Sequence, residues 1–85
     1  MQLPQINING TAKSDLLEQQ VEAMEAIRAA VEAVQASCPN GRDYTPQGSP
    51  AAQAAFQRAI SEHCDRITRL QAVLKEIETI AEHLV

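Results

Sequence analysis

The residues best suited to chemistry lie in the segment CPNGRDYTPQGS, residues 38–49. Arg42 carries a planar guanidinium that suits a phosphate or a carboxylate, and Tyr44 offers a ring on which a base could stack. Ser49 precedes Pro50, a pair typical of a helix N-terminus, where free N–H groups favour anions. The segment therefore predicts a pocket for an anionic nucleotide. Its candidate ligand-binding residues are Arg42, Asp43, Tyr44, Gln47 and Ser49.

The same segment also has a purely structural interpretation. Tyr44 would then cap one end of a helical bundle, and Arg42 would pair with Asp43 or with a carbonyl of the preceding helix. A connection between two helices usually takes about two to eight residues, so this one is long. Long ordered connections are often functional. Both interpretations stay open on the sequence alone.

Two further side chains, His63 and Arg66, are second-rank candidates for the ligand site. A lone histidine on an apolar face is most often a satisfied core residue, and Arg66 lies one helical turn further on. His83 is expected to interact with the helix dipole near the C-terminus. His63 and His83 are 20 residues apart on one helix, so we expect no metal site, and nothing indicates a cofactor.

No enzyme motif is present. The sequence lacks a glycine-rich phosphate loop, a CxxC pair, an HExxH helix and a nucleophile elbow. We therefore expect a binding protein rather than an enzyme.

Two amphipathic helices are predicted to position these residues. From Phe56 to Leu84 apolar residues recur at alternating steps of four and three, with His63 in the one polar slot. This pattern predicts a helix over residues 50–84, ~52 Å long. A first helix is expected over residues 12–37, with Thr11 or Ser14 as its N-cap. It should stop before Cys38–Pro39, because a residue that precedes proline avoids the helical region.

The first helix also carries a stripe of small residues: Ala23, Ala26, Ala30 and Ala33. The stripe is either a half-exposed flank made of good helix formers or a second helix contact. Residues 1–11 read as an extended arm in which Leu3, Ile6 and Ile8 are apolar. We expect this arm to pack on the far end of the long helix, the alternative being a strand that pairs with another copy.

Together these elements predict a single all-α domain, an antiparallel two-helix hairpin with an extended N-terminal arm. Val73 and Ile80 widen the apolar face beyond what a hairpin uses, which favours a homodimer or homotetramer built as a helical bundle. A hairpin centred near residue 44 would place Cys38 opposite residue 50 and Cys64 opposite residue 24. That separation is too great for a disulfide, so both thiols should be free.

The net charge and the hydropathy of the chain limit the kinds of partner that we expect it to bind. The formal net charge of −4 argues against general binding to nucleic acid or anionic membranes. No apolar run approaches 18 residues, and the N-terminus lacks the pattern of a signal peptide. A cytoplasmic protein is expected.

The loop motif running from Asn40 through Tyr44 to Gly48 resembles the N-x-R-D-Y-x-P-Q-G loop of small phage-encoded helical proteins. This resemblance implies a phage or prophage origin and the cytoplasm of an infected bacterium. Our first hypothesis is a non-enzymatic protein that sequesters an anionic, nucleotide-derived immune signal in pockets between subunits. The alternative is a helical interaction module that binds a host or virion protein. A ligand trap needs enclosed pockets lined with cations, whereas an adaptor needs an exposed apolar patch.

Overall fold

The computed structural model describes residues 1–6, 10, 12–44 and 49–85, without the side chain of Tyr44. These residues form helix α1 (Lys13–Ala36), a 3₁₀ turn (Gly41–Tyr44) and helix α2 (Pro50–Leu84). The two helices pack on each other, and the described part contains no strand. The all-α hairpin is therefore confirmed. Helix α2 has the bounds expected from the sequence, and α1 is one residue shorter than expected at each end.

The start of α2 and the end of α1 follow local chemistry. The Ala52 N–H donates to Ser49 Oγ at 3.4 Å, and Pro50 occupies the first turn of α2, as predicted. At the end of α1 the Ser37 hydroxyl donates to the Val34 carbonyl at 2.7 Å. The N-cap of α1 is Ala12, which provides no side-chain hydrogen bond. Ser14 is thus not the cap, because it lies inside the helix, and Thr11 is outside the described residues.

The register of the hairpin differs from the expected one. Arg28 Nη2 lies 3.5 Å from Glu78 Oε1, Val34 lines a groove with Leu70, and Leu17 lines another with Leu84. These pairs centre the hairpin near residue 52, so the prediction of a centre near residue 44 is wrong. The two helices lie side by side from the end of the rod that carries the chain termini. Helix α1 has 24 residues and α2 has 35, so α1 ends near the height of residue 68 of α2.

The register also changes the argument about the cysteines. Cys38 and Cys64 are free, as predicted, and both are exposed. However, Cys38 lies two residues beyond the end of α1 and therefore near the height of Arg66 rather than of Pro50. The predicted wide separation of the two thiols along the hairpin is wrong, although their free state is confirmed.

The long connector has a structural cause. Residues 50–66 of α2 extend beyond the end of α1 by about 25 Å, at 1.5 Å per residue. The connector must cover this distance, and its 3₁₀ turn packs on α2. A side chain added at Gly41 would come within 3.9 Å of the Phe56 ring. The 3₁₀ turn of the connector thus packs on the part of α2 that α1 does not reach.

The N-terminal arm returns to the last turn of α2. His83 Nε2 lies 3.0 Å from the Pro4 carbonyl oxygen, and a carbonyl can only accept, so the ring N–H is the donor. Leu3 and Pro4 are half-buried, which confirms packing of the arm on the far end of the long helix. Ile6 is 52% exposed, so this packing does not bury it. Ile8 lies outside the described residues.

The core is sparse. Among the described residues the buried apolar side chains are Val31, Ala81 and Leu84, and the buried polar one is His63. The molecule is a rod of 65 × 20 × 16 Å. None of its described helices is long and apolar enough to cross a membrane.

Candidate functional site

The connector presents two exposed charged side chains, Arg42 and Asp43. The backbone beneath them is fixed by Asn40, whose Oδ1 accepts from the Arg42 N–H at 3.0 Å and whose carbonyl accepts from the Asp43 N–H at 2.9 Å. Within the described residues no ion pair joins Arg42 to a carboxylate, so the expected pairing with Asp43 is not seen there. The Tyr44 side chain and Gln47 lie outside the described residues.

The Ser49 hydroxyl already has a structural role. It accepts the Ala52 N–H as the N-cap of α2, and capping typically stabilises a helix by about 1 kcal/mol. A ligand bound at this helix end would compete with that hydrogen bond.

His63 is 5% exposed. No buried side-chain nitrogen or oxygen in the described part of the chain lacks a hydrogen-bond partner. His63 therefore matches the core residue that its position on the seam predicted. Its burial keeps a ligand away from it within one chain.

The structure does not bring the predicted site residues together within one chain. Gly41 packs beside Phe56, which places the neighbouring Arg42 near the first quarter of α2. Arg66 is ten residues further along the helix, or about 15 Å. The connector candidates and Arg66 therefore lie at different heights of the rod.

Arg66 instead belongs to a groove between α1 and α2. The groove has a volume of about 470 Å³, is open to solvent, and is lined by Val34, Arg66, Arg69, Leu70 and Val73. Both arginines are exposed and each has a carboxylate one turn earlier: Arg66 lies 3.6 Å from Glu62, and Arg69 Nε lies 2.9 Å from Asp65. Sequence reasoning missed Arg69 as a groove residue, although positions 66, 69, 70 and 73 share one helical face.

The groove belongs to one of two unlike flanks of the hairpin. On one flank Arg28 of α1 pairs with Glu78 of α2, and we call this the charged flank. The groove lies on the other flank, because helical periodicity puts Val34 and Val73 on the opposite edges of the two helices from that ion pair. We call it the apolar flank. Arg66 and Arg69 lie at its connector end, and the rest of it is apolar: Leu16, Ala23, Ala30, Val34, Leu70, Val73, Ile77 and Ile80.

Exposure shows that the apolar flank is uncovered in the single chain. Val73 is 45% exposed, and the other members are only half-buried. Two members of the alanine stripe of α1, Ala23 and Ala30, lie on this same flank, which also carries Val73 and Ile80 of α2. The two features that the sequence showed separately, small residues and surplus apolar width, therefore form one surface.

A second groove lies at the end of the rod that carries the chain termini. It has a volume of about 560 Å³ and is lined by Lys13, Ser14, Leu17, Leu84 and Val85. Its lining is mostly apolar, with Lys13 as the charged member, so it is poorly suited to a polyanionic ligand.

Comparison of the chain with models of known protein families, with curated proteins and with solved structures gave no match. The phage-type origin therefore stays a prediction. No group of three or more potential metal ligands occurs in the part of the chain that the structure describes. Function is inferred here from the geometry of the described residues.

Proposed function

We propose that this protein is a helical protein–protein interaction module that works through its apolar flank. The observation that carries this proposal is the exposure of Val73 in a surface that is apolar along most of its length, with Arg66 and Arg69 at one end. Large exposed apolar patches on water-soluble domains commonly mark interaction sites. The opposite flank, crossed by the Arg28–Glu78 ion pair, has the mixed polarity of a surface that faces water.

The surface area of the chain supports the same function. Its accessible surface is 6261 Å², whereas a compact monomer of this mass exposes about 5,000 Å². The surplus of roughly 1,300 Å² exceeds the ~800 Å² that each partner buries in a standard protein–protein interface. An interface on the apolar flank would therefore bring the chain to an ordinary degree of burial.

A matched pair of valines tests the proposal. Val73 on the apolar flank and Val21 on the charged flank are 45% and 40% exposed, and both lie inside helices. Val73→Asp should break association, because it puts a carboxylate into an apolar contact. Val21→Asp should leave association intact. The measurement is mass by light scattering, for which we expect wild type to be at least twice the 9.3 kDa of the chain.

Two results would contradict this function. One is a wild-type protein that stays at the mass of a single chain at high concentration and whose melting temperature is not lowered by Val73→Asp. The other is an equal effect of the two aspartates on mass, which would show that the apolar flank has no special part in association.

A second candidate function is sequestration of an anionic, nucleotide-derived signal by a phage-type protein. It is favoured by the placement of Arg66 and Arg69 in one groove that has an apolar floor, since guanidinium groups suit phosphate and a base could lie on the apolar side chains. The groove is open, so the enclosed pocket of this hypothesis would need a second subunit. A thermal-shift screen against linear and cyclic nucleotides tests it, because a ligand at 100 times its Kd adds about 2.7 kcal/mol.

The cysteines bear on location. Cys38 and Cys64 are free and exposed, a state that a reducing compartment maintains. We therefore propose a cytoplasmic location.

A further inference from the structure

The exposure of the apolar flank changes along its length. Val73 and Ile80 lie seven residues apart, so they hold the same heptad position on α2. Val73 is 45% exposed, whereas Ile80 is half-buried. Helix α1 does not explain the difference, because the register sets Ala30 at the height of Val73 and Ala23 at the height of Ile80, and both alanines are half-buried. Another part of the chain therefore adds cover near Ile80.

A second pair of side chains shows the same change. Ile77 and Leu84 also lie seven residues apart and share one heptad position. Ile77 is half-buried, whereas Leu84, in the last turn of α2, is 1% exposed. The last residues of a chain are usually exposed unless another segment ties them down. The added cover therefore lies at the end of the rod that carries the chain termini.

The N-terminal arm contacts α2 at this place. The Pro4 carbonyl oxygen lies 3.0 Å from His83 Nε2. His83 follows Ile80 by three residues and Leu84 follows it by four, so both border Ile80 on the surface of the helix. Leu3 and Pro4 are themselves half-buried. The arm thus reaches the outer edge of the apolar flank and supplies the added cover.

We infer that the arm is an intramolecular cover of the apolar flank, which competes with a binding partner for the surface around Ile80. With the arm in place, the open part of the flank is centred on Val73. When the arm leaves, the open part extends to Leu84. This inference rests on the proposed interaction function and adds its regulation, because the arm sets how much of the flank a partner can reach.

The arm is held by few contacts. Between described residues one hydrogen bond joins its Pro4 to His83, and that bond is exposed to solvent. Met1 and Ile6 are 67% and 52% exposed, so burial of the arm is limited to Leu3 and Pro4. A segment with few buried apolar contacts opens at a low free energy. A partner that covers Ile80 can therefore displace the arm without unfolding either helix.

The first experiment measures the cover through the reactivity of an introduced thiol. Ile80→Cys and Val73→Cys are made separately in a full chain that carries Cys38→Ser and Cys64→Ser, because the native thiols are exposed and would also react. Alkylation by iodoacetamide is followed at low protein concentration, where single chains prevail. We expect the thiol at position 80 to react more slowly than the thiol at position 73.

A matched pair of arm variants then tests what causes that difference. Leu3→Asp should release the arm, because it puts a charge at a half-buried apolar position. It should raise the alkylation rate at position 80 and leave the rate at position 73 unchanged. Ile6→Asp adds the same charge to the same arm at an exposed position, so it should change neither rate.

The second experiment measures association of the same two arm variants with the native cysteines restored. Leu3→Asp should associate more tightly than wild type, and Ile6→Asp should match wild type, with light scattering or sedimentation as the measurement. The gain is the reciprocal of the fraction of chains whose arm is open, so an arm closed in about nine chains of ten gives about tenfold. Circular dichroism checks the helix content. Should Leu3→Asp lose helix, Leu3→Ser replaces it with the same expected results.

Three results would overturn the inference. An unchanged rate at position 80 in Leu3→Asp, or an equal rise at positions 73 and 80, would show that the arm is not the cover. Equal effects of Leu3→Asp and Ile6→Asp would show that the added charge, not release of the arm, is the cause. A rise at position 80 without tighter association would show that the arm does not compete with a partner.

The interaction function fails by a different result. If Val73→Asp lowers the assembled mass while Leu3→Asp does not tighten association, the regulation fails and the interaction function stands. If wild type and Leu3→Asp both stay at the mass of a single chain, the two fail together.

Discussion

Replacing Leu84 with alanine should cost more stability than the position of this residue near the end of α2 suggests. Leu84 is 1% exposed and is the largest fully buried side chain among the described residues. Removing a fully buried leucine side chain typically costs about 2–5 kcal/mol, through lost transfer energy and the cavity that is left. A domain of this length is stable by about 4–13 kcal/mol in total, so the loss is a large fraction of it.

The assay is urea denaturation followed by circular dichroism, at one fixed protein concentration because association shifts apparent stability. A loss of 2 kcal/mol also corresponds to a fall in Tm of about 8–16 °C for a domain of this size. The control is Val85→Ala at the adjacent position, which is 85% exposed and should change stability little. A loss below about 1 kcal/mol in Leu84→Ala, or one equal to that of the control, would refute the packing of this end of the hairpin.

Three other substitutions test separate parts of the structure. Ile80→Asp should lower the assembled mass, because Ile80 lies on the apolar flank, and an unchanged mass and Tm would remove it from the interface. His83→Ala should free the arm from the Pro4 contact and speed its proteolysis with little change in helix content, whereas unchanged cleavage would show that this hydrogen bond does not hold the arm. Arg42→Ala with Tyr44→Ala should stay folded and assembled but lose about 2–5 kcal/mol of affinity for any nucleotide that raises the Tm. Calorimetric titration measures this, and equal affinity would move the ligand site to the groove of Arg66.

The spacing of the apolar residues was enough to predict most of the fold, because each helix buries one apolar stripe against the other helix. The steps from Phe56 to Leu84 predicted α2, and Ser49–Pro50 predicted its start, since capping is a local interaction. The N-cap of α1 was not predicted, because no local capping interaction marks it. Ala12 offers no capping side chain, so tertiary packing rather than a local signal sets where that helix begins.

The register could not be read from either helix alone. A heptad stripe packs equally well after a shift of one repeat, and the assumption of a short turn centred the hairpin near Tyr44. The structure pairs Arg28 with Glu78 instead, which leaves half of α2 to the connector. Within one chain Arg42 and Arg66 lie at different heights of the rod, and the groove role of Arg69 went unnoticed because the register was not known.

The offset between the helices has a consequence for local opening. Residues 67–84 lie beside α1, whereas in the described part of the chain residues 50–66 extend past α1 and are met by the 3₁₀ turn of the connector. Amide protection in a native protein follows the free energy of local unfolding, which falls where few apolar contacts are made. The backbone N–H groups of one continuous helix should therefore exchange with solvent at two rates, faster before Ile67 than after it. Helix α2 would then be one continuous helix whose two halves differ in their free energy of local unfolding. The boundary between them lies at the height where α1 ends.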